Sequence, residues 1–268
     1  MDCKRAFHAA TLLLILSLQP SMLAQDPPKL PARAPADAGR ITSNVVALTR
    51  AWLGGSLSSG NLSADFREIS KTREQGQLKV AYHVYVKGAS PDKIYSLLSW
   101  PIEAKEPAEM MKGASATSEG LLVCTGRAPD QCGSAEHKDN PIRFTLTPRK
   151  GEVTRLALVA GDQSSKVTFG IVPDPITAAD AGCNVEVLRL APKFEIAMVH
   201  GRGFKPGESI EFSAKSFSES QGGPVKADEK GEFAAGVTPY VKGKVSGTTL
   251  VKLKTSHCSP EVSFTWGR

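Results

Sequence analysis

The chain contains no Gly-Lys-Ser or Gly-Lys-Thr, no His-Glu-x-x-His and no dense basic run. The first absence excludes a P-loop and the second a helical zinc-protease centre. The third leaves nucleic-acid recognition without its electrostatic footprint. Beyond residue 24 no segment is apolar enough to span a bilayer as a helix. The formal net charge of +6 is carried by lysines and arginines scattered among acids, which is the pattern of a solvated surface.

The one long apolar run stands at the start. Lys4 and Arg5 precede residues 9–16, and small residues then lead to Ala24-Gln25. A basic head, a short apolar run and a small residue before a polar one read as a secretory signal peptide, residues 1–24, cleaved near Ala24. The residue directly after that point is Gln25, not cysteine, so a lipid anchor is not expected. Two cations and one anion leave with the segment, which sets the mature chain at +5. Residues 25–40 are rich in proline and alanine without an apolar period, and they read as a disordered leader. The expected location is secreted, periplasmic or on the cell surface.

Cysteine is scarce, with five in all. Cys3 departs with the signal, leaving Cys124, Cys132, Cys183 and Cys258. An even number in an exported chain favours disulfides. Cys124 and Cys132 flank a polar turn that suits a local bridge, while Cys183 and Cys258 pair with each other or stay free. The competing reading is a metal site from Cys124, Cys132 and His137. Its spacing matches no common zinc pattern, and an oxidising compartment works against free thiolates, so neither metal nor cofactor is expected.

Residues 41–191 read as a β-rich domain with one or two short helices. A helix over 43–53 places Val45, Leu48 and Trp52 on one face before Gly54-Gly55 stops it. Residues 78–86 alternate as a strand. Ser90-Pro91-Asp92-Lys93 reads as a capped helix start with Ile94, Leu97 and Leu98 as its buried stripe. Strand-like runs follow at 121–124, 142–146, 155–159, 166–172 and 185–190, with 176–182 as a loop. Farther on, apolar residues alternate at 193–199, 210–214, 233–237, 251–253 and 262–266. The stretch at 86–91 also faintly echoes that at 200–206, each with a glycine three places before a proline.

The second of those stretches, Val199 to Phe212, is rich in glycine. A dinucleotide fingerprint needs a third glycine where Pro206 stands, and proline has no N–H to offer a phosphate. Period-two alternation follows in place of a helix, so Pro206-Gly207 turns a corner between strands. The pattern Gly203-Phe204-x-Pro206-Gly207-Glu208-x-Ile210, then Ala227-Asp228-x-x-Gly231-x-Phe233, then Val237-x-Pro239 resembles the repeated Ig-like modules of bacterial secreted and cell-surface proteins. The resemblance covers about residues 193–268. It implies an Ig-like β-sandwich over 192–268, acting as a stalk, spacer or adhesive unit without catalytic residues.

Catalytic patterns are incomplete. Ser90 and Lys93 have the S-x-x-K spacing of penicillin-binding enzymes, but Ser59-Gly60-Asn61 lies upstream where a downstream partner is needed. Lys244-Val-Ser-Gly has one residue too many for K-T-G. The mature histidines, His83, His137, His200 and His257, are isolated in sequence. Among the aromatics, Tyr82 and Trp266 fall on apolar faces, whereas Tyr85 points the other way and is the candidate exposed binding aromatic. The favoured reading is an exported non-catalytic structural or binding module, adhesion-like, with a protein or polysaccharide of the cell envelope as partner. The rivals are a serine acyl-enzyme hydrolase or transpeptidase using Ser90 and Lys93, and a periplasmic carrier of a small apolar ligand.

Overall fold

The computed structural model describes residues 45–54, 57–100, 106–126, 132, 138–191 and 196–267. The expected signal peptide, the leader and His137 lie outside these residues. The described chain is mainly β, with antiparallel sheets, one α-helix at residues 45–53 and no barrel.

The first eight strands are β1 (Ser63–Glu74), β2 (Gln77–Lys87), β3 (Tyr95–Ser99), β4 (Ala108–Ala116), β5 (Leu122–Cys124), β6 (Arg143–Leu146), β7 (Thr154–Ala160) and β8 (Lys166–Ile171). They form one sheet in the order β1-β2-β6 and another in the order β5-β4-β3-β7-β8. The rest are β9 (Ile176–Asp180), β10 (Cys183–Ala191), β11 (Ile196–Arg202), β12 (Ser209–Ser216), β13 (Glu219–Lys226), β14 (Phe233–Val237), β15 (Ser246–Lys254) and β16 (Glu261–Gly267). Their sheets run β14-β11-β10-β9 and β13-β12-β15-β16.

One strand order thus occurs twice. Setting β1-β2-β6 beside β10-β11-β14, and β4-β3-β7-β8 beside β13-β12-β15-β16, reproduces the connectivity strand for strand. β5 and β9 are additions at sheet edges. The echo between residues 86–91 and 200–206 marks the same corner in each set. Gly88 follows β2 and Gly203 follows β11, both with positive φ, at 77° and 85°. A Cβ on either would collide with a backbone carbonyl, of Asn61 or of Gly182. Only glycine fits such a corner. The turns that close beside it share a form, although one meets the chain two residues before its glycine and the other one residue after. Val86 N donates to Gly120 O at 2.8 Å, and Phe204 N donates to Gly231 O at 3.1 Å. Thr117 Oγ1 accepts from Leu121 N at 3.2 Å, as Asp228 Oδ1 accepts from Glu232 N at 3.0 Å.

Each set encloses one apolar core. Val80, Val84 and Val86 meet Leu97, Leu156 and Leu158 in the first. In the second, Val185, Val187 and Val199 meet Ile210, Val251 and Leu253. Side chains of this size contribute about 1.5–3 kcal/mol each when fully buried. The alternation expected at 78–86 and through 262–266 is what fills these cores, and Tyr82 and Trp266 are buried as expected.

Two local expectations are corrected. The helix forms, but its buried face is Val46, Thr49 and Trp52, not Val45 and Leu48. Trp52 sets that rotation, because its indole N–H reaches Leu156 O and Phe169 O, both at 2.8 Å. The Arg155 guanidinium lies 5.2 Å from the Trp100 ring and 5.9 Å from that of Trp52. No helix begins at Ser90. Residues 90–93 are a turn closed by Lys93 N on Ser90 O at 3.2 Å, and Tyr95 starts β3. A helix of about nine residues is marginal on its own, whereas β3 is flanked by β4 and β7 and receives ladder hydrogen bonds from both.

Other strands lie where none was expected: β1, β4, β9 and β13. β9 occupies the expected loop at 176–182 and, with β10, pairs toward β11. The disulfides are Cys124–Cys132 and Cys183–Cys258, with Cα separations of 4.9 and 6.2 Å. The second joins β10 to the turn before β16, across 75 residues of sequence. In the chain-entropy model it contributes about 4.5 kcal/mol, against about 2.5 for the first. Cys183→Ala/Cys258→Ala should therefore lower the urea midpoint more than Cys124→Ala/Cys132→Ala, and raise m more as the unfolded chain is released from the larger loop, in equilibrium unfolding of the mature chain.

Candidate functional site

The sequence-derived candidates do not gather at one place. Lys93 Nζ lies 3.0 Å from Asp162 Oδ2 and also bonds Ser164 Oγ. Ser164, and then Lys93, hold the Asp162 carboxyl far below the usual carboxylate range. Ser90 contributes its backbone N–H to Tyr95 Oη at 2.9 Å. With residues 90–93 a turn, the one-turn helical spacing that S-x-x-K chemistry uses is absent. Tyr85 is half-buried, and the Arg67 guanidinium covers one face of its ring at 3.8 Å. Cys124 and Cys132 are joined to each other.

The exposed aromatic surface is elsewhere, at one end of the sheet β13-β12-β15-β16. Ser216 and Glu219 face each other across a two-residue hairpin turn, which leaves Phe217 and Ser218 at its tip. Phe217 has a φ of 53°, a left-handed conformation that a hairpin usually gives to glycine. A bulky residue there is a true outlier, and the ring it carries is 48% exposed.

Three rings are grouped around one anchor. Trp266 is buried on β16, and its indole N–H donates to Ser216 Oγ at 2.9 Å, which also accepts from Thr249 Oγ1 at 3.2 Å. Phe217 meets it edge-on at 6.3 Å between centroids and Tyr240 at 6.0 Å. Tyr240 is 48% exposed and neighbouring Val245 is 83% exposed. Lys244 Nζ sits 5.0 Å from the Phe217 ring. Gly247 lies opposite Trp266, and a Cβ there would come within 2.6 Å of Phe217 and 2.7 Å of Trp266. The missing side chain makes room for the rings. A fixed tryptophan flanked by two half-open rings and a cation is a platform for CH-rich or planar polar surfaces.

A second feature is a cleft of about 610 Å³ between the helix and the outer side of β10, β11 and β14. Leu53, Leu188, Met198 and Ala234 give it an apolar lining, and Arg50, Glu186, His200, Arg202 and Glu232 its charged groups. His200 Nε2 lies 3.5 Å from Glu232 Oε2, and Nδ1 lies 3.2 Å from Arg202. Burial, followed by the Arg202 charge, lowers the His200 pKa against the opposing pull of Glu232 and Glu186. Opposite charges here are balanced, so the cleft shows no strong preference for an anion or a cation.

Sequence reasoning missed Phe217 and both groupings. A phenylalanine between two serines, in a stretch that breaks the strand alternation, was the available signal. The charges on β10 and β11 gave none, because outward-facing charges on strands are ordinary. No protein-family model matches the chain, and no curated protein matches it in sequence. Among the described residues no helix is long and apolar enough to cross a membrane.

The lowered His200 pKa has a definite sign in stability. The unfolded chain takes up this proton more readily than the folded one, so folding weakens as pH falls through about 6.5 and below. His200→Gln should flatten that part of the profile, read from denaturant midpoints between about pH 8 and pH 5. An unchanged slope would remove the histidine from the account.

Proposed function

We propose that the chain is an exported, non-catalytic binding module of the adhesive kind, built from two Ig-like β-sandwiches in tandem. The observation that carries this reading is the repetition of one strand order in two sets, each around its own core. Repetition of a sandwich suits a spacer that presents a surface, and the resemblance over residues 193–268 is to modules used in that way. Because β9, β10, β11 and β14 share one sheet, this reading puts the division between β8 and β9, ahead of residue 192. Two disulfides fit an oxidising compartment and therefore the signal peptide read at residues 1–24.

The binding surface in this proposal is the platform of Phe217, Tyr240 and Trp266, and its partner is an envelope polysaccharide or protein. Aromatic faces stack on sugar C–H edges, and Lys244 adds a cation for hydroxyl or carboxylate groups. The cleft beside His200 favours a second reading, a carrier of a small amphiphile; native mass spectrometry of the purified chain with a co-purified small molecule would favour that one instead.

The test is capture of the mature protein by envelope polysaccharide and by envelope protein fractions. Retention on one of them, reduced about tenfold or more in Phe217→Ala/Tyr240→Ala with an unchanged unfolding midpoint, is the expected result. Equal retention of the variant would remove the platform, and no retention at all would leave a spacer without a binding face. Amino-terminal sequencing of the exported chain should begin near Gln25.

A further inference from the structure

The turn before β16 places a histidine against the second disulfide. Donor atoms of Cys183, His257 and Cys258 all lie within 4.8 Å of one another. His257 Nε2 is 3.5 Å from Cys183 Sγ. Its other nitrogen, Nδ1, faces Glu208 Oε1 at 3.2 Å and Thr255 Oγ1 at 3.2 Å. Glu208 is itself fixed, since its Oε2 accepts from Lys205 N at 3.0 Å. The carboxylate thus favours the tautomer with hydrogen on Nδ1, which turns the Nε2 lone pair toward the sulfurs.

In histidine ligands to zinc one imidazole nitrogen meets a carboxylate and the other meets the metal; here the carboxylate is Glu208, and the free nitrogen faces the cysteine sulfur that would share the ion. Two thiolates and one imidazole make a three-ligand set that leaves the fourth tetrahedral position to water. Thr255 holds the turn in shape: its N–H donates to Cys258 O at 2.9 Å, and its hydroxyl lies 3.2 Å from Cys258 Sγ. Zinc–sulfur bonds of about 2.3 Å separate two thiolates by about 3.8 Å. Small side-chain rotations at Cα atoms 6.2 Å apart supply that opening.

We propose that the reduced chain binds one zinc-class divalent ion through Cys183, Cys258 and His257, with Glu208 positioning the histidine, and that formation of the disulfide releases it. Binding by two thiols and a neutral imidazole sets free two protons. In the oxidising step a small-molecule or protein disulfide accepts two electrons from the two thiolates. The Cys183–Cys258 bond forms, the oxidant's S–S bond breaks and takes up two protons to give two thiols, and the ion leaves with its anionic ligands gone. This site shares no residue with the aromatic platform, so either proposal can fail alone.

The experiment uses the mature chain with Cys124→Ser and Cys132→Ser, so that one pair of cysteines remains. After reduction with a phosphine under anaerobic conditions, cobalt(II) is titrated in as the spectroscopic probe. One equivalent should give thiolate-to-cobalt charge transfer and tetrahedral visible bands, both lost on adding zinc or on reoxidation by a disulfide. His257→Ala should weaken zinc binding by tenfold or more, and Glu208→Gln by about tenfold. Absence of the bands in the reduced chain, their presence in the oxidised one, or unchanged affinity in His257→Ala overturns the proposal. If reduction alone unfolds the chain, one equivalent of zinc should restore its circular dichroism in the parent and not in His257→Ala; no restoration, or restoration in both, overturns it equally.

Discussion

Both cores depend on a chain that leaves one sheet and enters the facing one without opening the seam between them. That crossing is made at Gly88 and again at Gly203, where the backbone lies so close to Asn61 or Gly182 that no side chain fits. A left-handed residue at these points turns the chain sharply enough for β3 to lie over β2 and for β12 to lie over β11. The sheets are then held at the spacing that apolar side chains from both faces can fill. Gly120 and Gly231 brace the corners from the other side, and the alternating strands carry burial outward from there.

The legible part of this fold follows from burial on one face. β12, β15 and β16 alternate, and β2 does so but for buried Ala81, because one side meets the core and the other is more open, so period two is written into the residues. β1 and β13 carry no such signal. Both lie at sheet edges and expose most of their side chains, and β13 even contains Pro224 with Gly222 and Gly223. The turn at Ser90 shows the opposite error, since its residues suit a helix cap as well as a turn. What separates the two is the pairing of β3 with β4 and β7, which no local pattern records.

The sites divide along the same line. The pairing of four cysteines was legible in their even number, and the Cys124–Cys132 bridge in its spacing. The grouping of Glu208, His257 and Cys183 was not, because the start of β10 and two turns far apart in the chain supply them. Tyr85, expected as an exposed aromatic, is half-buried, and Arg67 on the neighbouring strand covers one face of its ring. Phe217 was hidden by its surroundings. It sits in a polar turn, and its meaning comes from Trp266, which reaches it through the β12–β15–β16 ladder.

Two copies of one topology in a single chain carry a hazard: a strand of one copy, or of another molecule, can compete for an open edge in the other. Pro224 offers no N–H to a newcomer, and the consecutive glycines beside it supply no side chains for a second layer to grip. β1, an edge strand of another sheet, is mostly exposed and carries charges in place of apolar groups. Strand addition is thereby blunted at these two sheet edges, so a sheet need not be closed into a barrel to keep its border from templating another.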